Sequence, residues 1–63
     1  MAQTKRQILE SMIDNIKDNL VGTAFALRAA QDTQNAKWES EVKAEATRLA
    51  GILSSYEKQL SEI

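Results

Sequence analysis

Gln31-Asp32-Thr33-Gln34-Asn35 is the stretch that decides how this chain folds. Upstream of it, Leu9, Ile13, Ile16, Leu20, Thr23, Leu27 and Ala30 recur in alternating steps of four and three. That is a heptad seam, the period of helices packed at shallow angles. Carried past Ala30, the same phase would put Gln34 and Lys37 in the core. Downstream a second seam starts in a different phase, through Val42, Ala46, Leu49, Leu53, Tyr56, Leu60 and Ile63. A phase slip beside an uninterrupted polar cluster marks a chain reversal, with Asp32, Thr33 or Asn35 placed to cap the second helix.

Working outward, the pattern predicts an all-α fold, a two-helix antiparallel hairpin forming one domain over 1–63. The first helix should run over about 4–31, the turn over about 32–35 and the second helix over about 36–62. Thr4 with Gln7 three residues later matches a capping box. The chain has no Pro and only two Gly, is rich in helix-favouring Ala, Glu, Lys, Gln and Leu, and never clusters β-branched residues as a strand would. Folding back near Gln34 pairs Leu27 with Val42, Thr23 with Ala46, Leu20 with Leu49, Ile16 with Leu53, Ile13 with Tyr56 and Leu9 with Leu60. Charges at i,i+4 spacing (Arg6 with Glu10, Lys37 with Glu41, Glu39 with Lys43, Lys58 with Glu62) mark the wet faces. The turn contains neither Gly nor Pro, so one bent or continuous helix is the alternative. A break at Gly22 is the alternative within the first helix, although the seam passes through that glycine in phase.

A chain of 63 residues supplies a small core, and domains of this size usually need a staple. There is no Cys for a disulfide, and neither Cys nor His for a zinc site, which leaves oligomerisation. The segment from Leu20 to Ala30, with Thr23 and Arg28 as its only polar side chains, points the same way. A helix that is apolar most of the way around belongs inside something larger than itself. Met12, Ala26, Trp38 and Ile52 flank the two seams on one side. They are read as a self-association strip through which hairpins dock into a dimeric four-helix bundle of the coiled-coil kind. Phe25 falls opposite the seam, with Val21 one turn before it and Ala29 one turn after. These three form a candidate partner-binding strip, to be weighed against the ordinary occurrence of exposed apolar side chains.

Chemistry finds little purchase here. The carboxylate pairs Glu10 with Asp14 and Glu41 with Glu45 have no His nearby and have basic neighbours, so they read as solvated faces. No serine or threonine has a His or Cys partner, and the two glycines stand alone instead of forming a phosphate loop. No enzyme, cofactor or metal site is expected. The eight basic and nine acidic residues are interleaved, giving a net charge of −1, which disfavours nucleic acid as a partner. No segment reads as a membrane span, and Met1 to Gln7 lead into an amphipathic pattern unlike a signal peptide. The expectation is a cytoplasmic, non-enzymatic protein–protein interaction module: an adaptor, inhibitor or assembly factor with a regulatory role. A small RNA-binding regulatory dimer on the same scaffold and a structural subunit of a larger assembly are the alternatives.

Overall fold

The computed structural model, which describes residues 2–63, is a helical hairpin with no strand among those residues. Helix α1 spans Lys5–Asp32 and helix α2 spans Ala36–Ser61. The chain reverses where the seam loses phase, so the single-helix alternative is set aside. No helix among the described residues is long and apolar enough to cross a membrane.

Thr4 opens α1 with the full capping box. Its hydroxyl accepts from the Gln7 N–H at 3.1 Å, and its own N–H donates to Gln7 Oε1 at 2.9 Å. The helix then passes through Gly22 without a break. A glycine inside a helix costs about 1 kcal/mol relative to alanine. Here the backbone does not need a glycine: φ is not positive, and an added Cβ would meet nothing within 4 Å.

The reversal is built from main-chain hydrogen bonds that close the last turn of α1. The Asn35 N–H donates to the Ala30 carbonyl at 2.9 Å and the Gln34 N–H to the Gln31 carbonyl at 3.1 Å. These are the two bonds of a Schellman motif, which places the residue after the cap in the left-handed region. That residue is Gln34, at φ 55°. Glycine is the usual occupant because it has no Cβ to crowd the following carbonyl. Asn35 then begins α2, its side-chain oxygen accepting from the Trp38 N–H at 3.0 Å. Gln34→Gly should therefore raise stability by roughly 0.5–1 kcal/mol. Relief of the left-handed strain outweighs the extra freedom glycine gains in the unfolded chain. A urea titration of both proteins checks this, and an unchanged or lower midpoint would contradict it.

The interior lies along the single line where the helices meet. Ile13, Ala30, Val42 and Leu49 are buried, and the other seam residues from Leu9 to Leu60 are half-buried. Ala30, fully buried and small, lets the two helices approach closely beside the turn. Ile63 departs from the seam expected for it: it lies beyond the end of α2 and is 55% exposed. The molecule measures 48 × 21 × 11 Å, one helix thick.

Candidate functional site

Two helices in one layer leave an open face on each side of the seam. One face carries a shallow groove lined by Gly22 and Ala26 of α1 and by Trp38, Glu41, Glu45 and Arg48 of α2. The opposite face carries another, lined by Ala24 and Leu27 of α1 and by Lys43, Ala46 and Thr47 of α2. Nearer the open end, a polar depression gathers Arg6, Glu10, Asp14, Lys17 and Glu57.

The residues read as a self-association strip are distributed along the first face. Ala26 and Trp38 line the same groove. Met12 and Trp38 are each a little over one-third exposed, and Ile52 and Ala26 are half-buried. The structure adds two residues that the sequence reading did not place there. Ile8, 45% exposed, and Ile63 line an apolar groove at the open end together with Leu9. Ile8 stands one turn before Met12, so the spacing alone could have placed it. Ile63 was hidden by its fit to the second seam.

Phe25 is the most exposed of the large apolar side chains, at 73%, and Val21 one turn before it is 56% exposed. Ala29 is half-buried, so the outer strip narrows to Val21 and Phe25. Because nothing in the hairpin covers Phe25, Phe25→Ala should change folding stability by no more than about 0.5 kcal/mol. Thermal melting checks this. A loss of ~3–5 kcal/mol, the range for a buried Phe, would instead make it a core residue.

Charge on the surface is arranged in short local pairs. Of the four expected i,i+4 pairs, Glu39 with Lys43 forms, at 3.2 Å. Arg6, Lys37 and Lys58 make no ion pair among the described residues. Arg28 pairs instead with Asp32 at 3.2 Å, and Arg48 with Glu45 through both carboxylate oxygens. The Lys43 hydrogen bond, helped by one from Gln31, holds the Glu39 carboxyl below the usual carboxylate range. The Arg48 hydrogen bond does the same for Glu45. Both stay ionised at neutral pH. No group of three or more acidic, His or Cys side chains that could hold a metal ion occurs among the described residues. No buried side-chain polar atom among them lacks a hydrogen-bond partner.

No family model, curated protein or solved structure matches this chain.

Proposed function

We propose that this chain is a non-enzymatic protein–protein interaction module that self-associates into a four-helix bundle and presents Val21 and Phe25 to a further protein. The reading is supported above all by surface area. A compact monomer of this 7.0 kDa mass exposes ~4,000 Å² on the scaling of folded proteins. This hairpin exposes 4832 Å², an excess of about 800 Å². A standard protein–protein interface buries about 800 Å² on each partner, so one docking event removes the surplus. The physical reason is the missing second layer. A pair of helices shields its seam from two directions only, and stable domains close the others with another layer.

The test is mass in solution together with the concentration dependence of melting. Association stabilises the folded state by mass action, so the chain should sediment as a dimer and its Tm should rise with protein concentration. A monomer whose Tm is independent of concentration would overturn the proposal. The exposure of Phe25 favours a second reading, in which its strip joins dimers into a larger assembly. Growth beyond a dimer that Phe25→Ala abolishes would select that reading.

A further inference from the structure

Beside the seam that meets α2, α1 carries a second heptad stripe shifted by one residue: Ile8, Met12, Asn15, Asn19, Gly22, Ala26 and Ala29. Its steps alternate four and three throughout, and it holds no charge. Apart from Lys5 at the end, and Asp18 and Asp32, which border the stripe one turn from Gly22 and from Ala29, the charged residues of α1 (Arg6, Glu10, Asp14, Lys17 and Arg28) lie on the other side of the helix. The stripe borders the groove that contains Asn19, Gly22 and Ala26. It is also graded, with large side chains in the first half and small ones in the second.

We infer that a second copy of this chain docks on that stripe with its α1 antiparallel, the two turns lying at opposite ends of the dimer. The inference rests on the self-association proposed above and specifies its geometry. Reversing the stripe on itself sets Ile8 against Ala29 of the second copy, Met12 against Ala26, Asn15 against Gly22 and Asn19 against Asn19. Ile8, Met12 and Asn15 each meet a small residue, and Asn19 meets its own counterpart. The arrangement with both turns at the same end would instead stack the wide open ends on each other and the narrow turn ends on each other. Gly22 has an explanation in the dimer that it lacks in the hairpin. Its open space, idle within one chain, receives the Asn15 side chain of the other.

Asn19 sits at the two-fold axis, where each amide can both donate to and accept from its counterpart. A polar pair in an apolar seam restricts its register. Here the amides meet either as Asn19 on Asn19 or, half a heptad away, as Asn15 on Asn19, and only the first register also covers Ala29, by setting Ile8 against it. Opposed turns also bring Trp38, near the turn of one hairpin, level with the open-end groove of Ile8 and Ile63 on the other. The exposed apolar residues at the two ends thereby cover each other.

The chain has no cysteine, so single substitutions report cleanly. Asn19→Cys should form a disulfide-linked dimer under mild oxidation, at least tenfold faster than Ala44→Cys, which is exposed on α2. Met12→Cys mixed with Ala26→Cys should yield the mixed disulfide, and Met12→Cys alone should not, since its two copies would lie ~20 Å apart along the helix. The mixture also keeps the test decisive if Asn19→Cys disturbs the fold. A protein that sediments as a dimer but cross-links no faster than Ala44→Cys at either pair would overturn this geometry and leave self-association standing. A monomer would overturn both.

Discussion

Leu49→Ala should leave most of the protein unfolded at concentrations too low for association. Leu49 is one of four buried residues among those described, and the register of the two seams sets it opposite Leu20. Truncating a buried leucine removes its transfer free energy and leaves a cavity, which together cost ~2–5 kcal/mol. A single core in a chain of this size supplies about 3–5 kcal/mol of net stability, so the loss approaches the whole. Neither helix has an alternative packing partner within the chain, and an isolated helix of this length is held mainly by its packed face. Helicity by circular dichroism at micromolar concentration, followed by urea titration, measures the effect. The half-buried Leu53 provides a graded comparison, because Leu53→Ala removes a side chain already partly wet. A loss below about 1 kcal/mol for Leu49→Ala would mean that the seam does not hold the hairpin together.

The hairpin was legible in the sequence because two signals fell at the same place, the loss of heptad phase and the polar cluster from Gln31 to Asn35. Heptad spacing depends on which face of a helix is dry, and an antiparallel fold leaves that face in phase along each helix and out of phase across the turn. The slip at Gln31 to Asn35 was therefore visible even though the turn lacks glycine and proline. Its detailed geometry was not visible. Nothing in the composition announces Gln34 as the left-handed residue, because the Schellman hydrogen bonds impose that conformation on whatever residue occupies the position. Asn35 was one of three equal candidates for the cap, and the main-chain bonds that end α1 at Asp32 decide among them.

The surfaces were less legible, for a related reason. Periodicity identifies apolar residues, so Met12, Ala26, Trp38 and Ile52 stood out. Asn15, Asn19 and Gly22, which complete the stripe of Met12 and Ala26 on α1, did not. Their common property is the absence of charge, and it becomes a signal only once the helix is seen continuous through Gly22. Phe25 was placed by phase alone and lies outside the seam as that phase requires. Ion pairs were the poorest guide. An i,i+4 spacing permits a pair, but an exposed lysine or arginine loses side-chain entropy by forming one. Arg48 chose an i,i+3 partner that the spacing rule had passed over.

Ala26→Arg should convert the associated protein to monomer, and its Tm should then cease to depend on concentration. In the proposed dimer Ala26 of each copy faces Met12 of the other, so the substitution forces an arginine side chain into each of two apolar contacts, where its guanidinium must either stay against Met12 or bend back along its own groove toward Glu41 and Glu45. Overfilling a packed contact costs ~1–3 kcal/mol, and two-fold symmetry repeats the penalty within one dimer. The isolated hairpin is barely affected, because Ala26 lies at the edge of the seam, where an arginine can extend along the surface into solvent. The companion variant is Ala24→Arg, which adds the same charge to the opposite groove. Sedimentation and melting of the two variants beside the parent separate the faces. Loss of the dimer in Ala26→Arg with retention in Ala24→Arg is the expected result. The reverse pattern would move the interface to the face of Ala24, Leu27 and Ala46. There the polar depression around Arg6, Glu10, Asp14 and Lys17 of α1 would have to be buried at the open end, whereas on the first face the charges of the groove (Glu41, Glu45 and Arg48) belong to α2, with Glu45 and Arg48 already paired, and the docking stripe of α1 carries none.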